Sequence, residues 1–262
     1  MNIVVCIKQV PDTTEIKLDP VKGTLIRDGV PSIMNPDDKG GLEEALKLKD
    51  MYGAHVTVIT MGPPQADAIL REAYAMGVDR AILLTDRKFA GADTLATSNA
   101  LAAALREIDY DLIIAGRQAI DGDTAQVGPQ IAEHLGIPQI SYLKELEYNE
   151  NAKTIKVKRV VEDGYYLLEA ELPALVTVLA EANQPRYMRV GNIVDAFDKE
   201  VEVWTTENVK IEAEKLGLKG SPTQVKKSFT KGAKQAGKVF NDLDTKQAVN
   251  LIVEKLKEKF VI

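Results

Sequence analysis

The chain has 262 residues and a formal net charge of −6, and hydrophobic and charged residues make up 45% and 27% of it. These values are typical of a globular protein and exclude wholesale disorder, while the acidic charge and the aromatic content of only 5% argue against nucleic-acid binding. With one cysteine and two histidines, the sequence excludes an intramolecular disulfide and predicts no metal site.

Short apolar runs alternate with helical patterns over most of the chain. The apolar runs that predict buried strands are Asn2–Ile7, His55–Thr60, Arg80–Thr85, Asp111–Gly116 and Leu175–Leu179. The segments that predict helices are Asp37–Tyr52, Gln65–Met76, Asp93–Ile108 and Thr124–Leu135. Strands that are apolar throughout and separated by helices indicate a parallel sheet covered on both faces. We therefore predict an α/β fold with a doubly wound parallel sheet.

Two segments interrupt this alternation. Glu15–Ile33 contains a proline and a glycine between β-prone pieces and predicts a hairpin. Ser141–Glu171 predicts several antiparallel strands, with turns at Asn149–Asn151 and Glu162–Gly164. These strands are expected to add an antiparallel part to the parallel sheet.

The end of the chain differs from the rest in its residue pattern and in its net charge. Leu218–Gln235 lacks apolar periodicity and predicts an extended linker, whereas Asp244–Phe260 opens with a capping pattern and predicts an amphipathic helix. Residues 214–262 contain eleven lysines and five acidic residues, a net charge of +6, which leaves −12 for residues 1–213. We predict an α/β domain over residues 1–213 and a basic arm over 214–262, ending in a helix that must dock on the domain or on another chain.

The sequence also predicts where in the cell the protein is located. No run approaches the ~18 apolar residues of a membrane span, and Met1–Cys6 lacks the basic region and long apolar core of a signal peptide. We therefore predict a cytoplasmic protein without a membrane span.

Ligands of open α/β sheets bind at the carboxyl ends of the strands, so the residues that follow the predicted strands are candidates. The richest stretch is Gly116–Pro129, whose small residues allow a ligand to come close and whose Asp123 or Thr124 could cap the next helix. The N–H groups of that helix and Arg117 would suit a phosphate; a glycine-rich turn without a ligand is the alternative. A Walker-like string at Gly232–Val239 lacks the final Ser or Thr and a preceding strand, so we interpret it as chance.

Three further places have simple structural interpretations. Asn35–Asp38 begins a helix, and its two acids suit the helix dipole, which leaves Asn35 for ligand contact. Cys6 and Met61 lie at strand positions where burial in the core is the default. The polar segment Asn183–Asn192 carries two Arg and one Tyr, which are enriched at protein interfaces; a plain surface loop is the alternative.

Taken together and in order, several strings resemble the beta subunit of electron-transfer flavoproteins. They are Val5–Asp12, Met34–Pro36, Glu43–Lys49, Met76–Arg80, Gly116–Asp121, Leu172–Thr177 and Pro185–Tyr187. The resemblance runs from residue 2 to about 200 and continues more weakly through the tail. It implies a heterodimer with a larger alpha subunit and an adenine-nucleotide site in this chain.

The resemblance also implies which residues form the sites. The implied cofactor-binding residues are Cys6, Asn35, Pro36, Asp37, Asp38, Met61, Gly116, Arg117, Gln118, Ala119, Ile120, Asp121, Gly122, Asp123, Thr124, Ala125, Gln126 and Val127. The segment matching the family's recognition loop, which grips the acceptor dehydrogenase, is Asn183, Gln184, Pro185, Arg186, Tyr187, Met188, Arg189 and Val190. For Cys6 and Met61 this replaces the interpretation as core residues. The terminal helix is implied to lie against the alpha subunit.

Differences between this chain and the common family pattern indicate whether it holds AMP or FAD. Ordinary members hold AMP and often have Phe-Cys after the Asn-Pro turn, where this chain has Asp37-Asp38. The run from Asp123 to Pro129 and the pair Tyr165-Tyr166 also depart from the common pattern. The loop is more similar to that of electron-bifurcating members, which hold FAD in place of AMP.

Our leading hypothesis is therefore a bifurcating beta subunit. Its FAD would take a hydride from NADH, send one electron through the alpha-subunit FAD to an acyl-CoA dehydrogenase, and send the other to ferredoxin or flavodoxin. The flavin carries this chemistry, so no side chain is predicted to be catalytic. The alternatives are a non-bifurcating beta subunit with structural AMP and a stand-alone nucleotide-binding module.

Overall fold

The computed structural model describes residues 1–12, 31–226 and 236–262. The predicted hairpin at 15–33 lies outside these ranges except for its last residues, as do the second half of the predicted linker and the start of the Walker-like string. The strands are β1 (Asn2–Cys6), β2 (Gln9–Pro11), β3 (Ser32–Met34), β4 (His55–Met61), β5 (Arg80–Leu84), β6 (Leu112–Gly116), β7 (Gln139–Asn149), β8 (Thr154–Val161), β9 (Gly164–Glu171), β10 (Ala174–Val178) and β11 (Glu202–Trp204).

The α-helices lie where the sequence predicts them, with one addition. They are α1 (Pro36–Tyr52), α2 (Asp67–Met76), α3 (Thr94–Leu105), α4 (Val127–Leu135), α5 (Val190–Asp195) and α6 (Thr245–Glu258). Short 3-10 turns occur at Pro64–Ala66, Arg87–Phe89, Ala180–Ala182 and Ala213–Lys215. The additional helix α5 begins inside the polar segment Asn183–Asn192. None of the helices in the described ranges is long and apolar enough to cross a membrane.

The main sheet has the strand order β11-β5-β4-β1-β6-β10-β7-β8-β9. Neighbours from β11 to β7 are parallel, whereas β7, β8 and β9 pair antiparallel. The prediction of a parallel sheet with an antiparallel addition is therefore confirmed. The short strand β11, at one edge beside β5, was not predicted.

Alternate residues of the strands pack on opposite faces of the sheet. In β1, Ile3 and Val5 belong to the core on the face covered by α1 and α2. Val4 and Cys6 belong to the core on the face covered by α3 and α4. Because both faces of the central strands are buried, these strands are apolar at every position rather than at every second one.

The order of the strands determines where a ligand can bind. From β1 the chain proceeds to β4 and β5 on one side, and it then returns to place β6 and β10 on the other side. The connections therefore diverge at the carboxyl ends of β1 and β6, and such a switch point leaves a crevice in open α/β sheets. The chain segments after Cys6 and Gly116 lie at this point.

The described residues up to 226 form one compact unit, and those from 236 onward form a second. This division lies further along the chain than the predicted boundary at 213. Segment 216–223 belongs to the first unit, where Ser221 Oγ accepts from Asp93 N at 2.9 Å and Thr223 Oγ1 donates to Asp93 Oδ2 at 2.7 Å. The second unit consists mainly of α6, whose predicted apolar positions Val249 and Ile252 are exposed.

Helix α6 begins with the predicted capping box. Asp244 Oδ1 accepts from Gln247 N at 2.8 Å, and Gln247 Oε1 accepts from Asp244 N at 3.1 Å. We expect Asp244→Ala to destabilise α6 by about 1 kcal/mol, because it leaves N-terminal N–H groups without a partner. Faster amide hydrogen exchange in the first turns of α6 would measure this loss. The exposed Asp242 lies outside the box, so an equal effect of Asp242→Ala would contradict the assignment.

Candidate functional site

The candidate site is the switch point, where the start of α1 meets the ends of β1 and β6. Gly116, the last residue of β6, lies directly against the first turn of α1. A Cβ atom at this position would lie 2.6 Å from Asp38 N and 2.7 Å from the carbonyl carbon of Asp37, and it would also overlap Asp38 Oδ1. Only glycine allows this close approach of two backbones.

The buried carboxylate of Asp38 joins the ends of the two central strands. Its Oδ2 accepts from Lys8 N at 2.8 Å, just after β1, and its Oδ1 accepts from Gly116 N at 3.1 Å. Burial raises the pKa of Asp38 to about 7, although hydrogen bonds from Asn35, Lys8 and Gly116 act in the opposite direction. Asp38 therefore holds the two sides of the crevice together.

The carboxylate of Asp37 is also buried and binds three donors. Its Oδ2 accepts from Arg117 Nε at 3.1 Å and from Gln118 N at 3.3 Å, both in the loop after β6. Its Oδ1 accepts from Ala180 N at 3.0 Å, just after β10. The interpretation of both acids from the helix dipole does not account for these long-range contacts.

Asn35 completes this support and is fully buried. Its Nδ2 donates to Gln118 O at 2.8 Å, and its Oδ1 accepts from Ile120 N at 3.1 Å. Both ends of its amide are thus used to hold the loop after β6. Asn35 therefore supports the loop from behind, and its contact with a ligand stays a prediction.

The outer half of the loop has a different structure. Lys8 Nζ pairs with Asp121 Oδ1 at 2.6 Å across the crevice, and Gln118 Nε2 donates to Asp123 Oδ1. Asp123 and Ala125 have left-handed φ values of 52° and 53°. Lys8 lies in the string Val5–Asp12, and its position in the sequence gives no signal for this pairing.

The prediction that Asp123 or Thr124 caps the next helix is wrong. Helix α4 begins at Val127, its N-cap is Gln126, and no side chain bonds to the cap. The left-handed residues in the loop prevent a helix from starting at 124. The first N–H groups of α4 are therefore not occupied by a capping side chain.

The structure brings most of the predicted cofactor-binding residues to one edge of the sheet. Residues 35–38 and 116–127 meet directly, and Met61, at the end of β4, lies at the same edge because β4 is adjacent to β1. Cys6 is packed in the core, where burial raises the pKa of its thiol to about 12. This burial gives no reactive thiolate, and the implied contact of Cys6 with the cofactor stays a prediction.

The predicted partner-binding segment follows β10 and lies along α1. Asn183 Nδ2 donates to Gly40 O at 2.9 Å, and Arg186 Nε pairs with Glu43 Oε2 at 2.9 Å. Tyr187 is 92% exposed. The loop after β6 and this segment are thus both attached to the first turns of one helix.

Comparison with known proteins identifies the family. An electron transfer flavoprotein domain matches residues 22–208. An electron transfer flavoprotein subunit beta of Clostridium acetobutylicum is 60% identical over 262 residues, covering all of both chains. The chain belongs to the beta subunits of the electron transfer flavoprotein family. The resemblance inferred from the sequence motifs is therefore confirmed.

Other electron transfer flavoprotein subunits match over the whole chain as well. The caffeyl-CoA reductase-Etf complex subunit CarD of Acetobacterium woodii is 51% identical over 264 residues, and the acryloyl-CoA reductase electron transfer subunit gamma of Anaerotignum propionicum is 46% identical over 271 residues. In both cases the alignment covers all of this chain and all of the relative. The family domain includes α1, the loop after β6 and the segment attached to α1.

Proposed function

We propose that this chain is a cytoplasmic subunit that pairs with an alpha subunit and holds FAD at the β1/β6 switch point. The observation that carries the proposal is the loop at 116–126. Asn35, Asp37 and Asp38 hold it from behind, while Asp123, Thr124 and Gln126 on its outer part are exposed. A loop fixed on one side and accessible on the other is suited to hold a ligand.

The residues present fit a dinucleotide. Ala125, with φ of 53°, precedes Gln126, with φ of −107° and ψ of −33°. A change from left-handed to right-handed backbone turns successive N–H groups toward one side, and such concavities bind anions. They continue into the uncapped start of α4, so a pyrophosphate would meet N–H groups of both.

Charge at the crevice supports the same assignment. Arg117 and Lys8 remain partly exposed although each has a carboxylate partner, Asp37 and Asp121 respectively. A phosphate group placed here would lie near two cations. The proposed cofactor-binding residues hold and orient the nucleotide, and none of them acts as an acid or base.

Two observations favour FAD over AMP. The residues after Asn35-Pro36 and in the loop depart from the AMP-type pattern, and two relatives are named as electron transfer parts of caffeyl-CoA and acryloyl-CoA reductase systems. The bound FAD would accept a hydride from NADH and pass electrons to ferredoxin or flavodoxin and, through the alpha-subunit FAD, to an acyl-CoA dehydrogenase. Residues 183–190 would contact that dehydrogenase.

The basic arm, residues 214–262, completes the proposal. Its helix α6 presents the exposed apolar side chains Val249 and Ile252, and Phe260, just after the end of the helix, is exposed as well. A single helix cannot bury its own apolar stripe, so we propose that this helix docks on the alpha subunit.

The nucleotide content of the purified heterodimer tests the cofactor. We expect two FAD and no AMP after acid release and chromatographic separation. One FAD with one AMP would contradict the FAD assignment and favour the non-bifurcating alternative. A chain that purifies alone, without nucleotide or alpha subunit, would contradict the family-based pairing as well.

An anaerobic assay tests bifurcation. With NADH, ferredoxin and an acyl-CoA dehydrogenase, we expect ferredoxin to be reduced only when an α,β-unsaturated acyl-CoA is also present as the second electron acceptor. Ferredoxin reduction that is independent of the acceptor, or absent under both conditions, would contradict the proposal. Omitting the dehydrogenase while keeping the acceptor gives the matched control.

A further inference from the structure

The partner segment, residues 183–190, depends on side chains for its shape. Residues 183–189 belong to no helix or strand. At its start, Asn183 Nδ2 donates to Gly40 O at 2.9 Å and to Glu44 Oε1 at 2.6 Å. Toward its end, Arg189 N donates to Ala75 O at 3.4 Å. Between these points, the described hydrogen bonds that attach it to the body are those of Arg186.

Arg186 binds α1 through its backbone and its side chain. Arg186 N donates to Glu43 Oε2 at 3.0 Å, Nε donates to the same oxygen at 2.9 Å, and Nη2 donates to Glu43 Oε1 at 3.1 Å. Nη2 also donates to Asp50 Oδ2 at 2.8 Å. The guanidinium therefore grips both oxygens of Glu43 in a fork, a geometry that fixes direction as well as distance.

Among the residues that the structure describes, Arg186 is the hydrogen-bond partner of the Glu43 carboxylate. The side chain of Glu43 is only 7% exposed, and a buried carboxylate needs a partner. The hydrogen bonding of the guanidinium to Glu43 is the largest cause of the raised pKa of Arg186. Asp50, by contrast, is mostly exposed and contributes a single bond. Glu43 is thus the main anchor, and Asp50 only supplements it.

The residues that follow the anchored Arg186 are exposed. Tyr187 is 92% exposed and Val190 is 80% exposed, whereas Arg186 just before them is held against α1. The anchor fixes the base of the segment and directs an apolar tip away from the body. A loop that is already ordered loses less conformational entropy when it binds a partner.

We propose that Glu43, through Arg186, is a positioning residue for docking of the partner dehydrogenase. This inference rests on the proposed function of residues 183–190 as the segment that contacts this dehydrogenase. The anchor orders the segment before contact, so that Tyr187 and its exposed apolar neighbours are presented to the dehydrogenase. Glu43 contacts neither nucleotide nor partner and acts only through Arg186.

The test uses the nucleotide-loaded heterodimer and the acyl-CoA dehydrogenase, with the heterodimer varied in a steady-state electron-transfer assay. We expect Glu43→Gln and Arg186→Gln each to raise the KM for this pair about tenfold, with kcat unchanged. The double variant is expected to show no larger effect than either single one, because both changes break the same contact. Arg186→Lys keeps the charge but not the fork, so an intermediate KM is expected.

Two further variants complete the design. Lys49→Gln removes another ion pair of α1, with Asp79, and is expected to leave KM unchanged. Tyr187→Ala is expected to raise KM, since it removes the exposed tip. The inference is overturned if the Glu43 and Arg186 variants keep the wild-type KM, whether or not Tyr187→Ala changes it. Nucleotide content is measured separately in every variant, so failure of the cofactor assignment is distinguished from failure of the anchor.

Discussion

Replacing Gly116 with alanine is expected to lower the free energy of unfolding by about 3 kcal/mol and to abolish nucleotide binding. The added Cβ would overlap Asp38 Oδ1 and lie 2.6 Å from Asp38 N. The neighbouring atoms are mostly backbone at the start of α1, so they cannot move aside by a change of rotamer. Either β6 or α1 must shift, and the shift breaks the bond from Gly116 N to Asp38.

The loop provides a matched control for this substitution. Gly122 lies six positions further along, and a Cβ there would meet no atom within 4 Å. We expect Gly122→Ala to change the free energy of unfolding by less than about 0.5 kcal/mol. Urea denaturation and the nucleotide content of the heterodimer measure the two effects. If Gly116→Ala were as stable and as fully loaded as Gly122→Ala, the close contact between β6 and α1 would not be required.

Local sequence signals predicted the framework well. The apolar runs located the central strands, and the pair Asp244 and Gln247 located the start of α6. These features depend on residues close together in the chain, whose spacing is visible in the sequence. The predicted cap at Asp123 or Thr124 failed because a local pattern also fits a loop whose backbone turns left-handed.

The supports of the site were harder to predict because they act over long distances. Asp37 reaches Ala180, and Glu43 reaches Arg186, in each case across 143 residues. Asp37 also matches an ordinary first-turn acid, and Glu43 matches a solvent-facing helix position. Only the folded chain places a loop or a segment over these carboxylates, and their burial then makes the partner necessary.

Helix α1 unites these observations. Its first turn holds the loop after β6 through Asp37 and Asp38, and its second turn holds the partner segment through Gly40 and Glu43. Asp37 bonds to Arg117 in the loop after β6 through one oxygen, and through the other to Ala180 N, just before the partner segment. The loop after β6, where we propose that the nucleotide binds, and the partner segment are therefore both attached to the first two turns of one helix.

The buried Asp38 makes stability depend on pH in an unusual direction. Burial raises its pKa from 3.8 to about 7 in the folded chain. Between about pH 4 and 7 the folded state therefore retains a proton that the unfolded state releases. The contribution of Asp38 to stability is greatest below pH 4, falls as the pH rises toward 7, and is constant above that, a total change of about 4 kcal/mol.

Asp38→Asn removes this titration and keeps the shape of the side chain. We expect the free energy of unfolding of the wild type, relative to that of Asp38→Asn, to fall by about 3 kcal/mol between pH 5 and pH 8. Urea denaturation of both proteins at pH 5, 6, 7 and 8 measures this difference. Groups remote from Asp38 titrate equally in both proteins, so the difference reports on Asp38 and on its electrostatic coupling to neighbours such as Asp37.

Asp93 provides a control, because its pKa is shifted downward whereas that of Asp38 is shifted upward. Desolvation would raise its pKa, but hydrogen bonds from Ala96 and Thr223 outweigh this and lower it. Asp93 is then ionised in both folded and unfolded states between pH 5 and 8, so the relative stability of Asp93→Asn should not change with pH in that range. If the difference between the wild type and Asp38→Asn were equally constant, Asp38 would be ionised in the folded chain throughout. Its hydrogen bonds from Lys8 N, Gly116 N and Asn35 would then outweigh the desolvation caused by its burial.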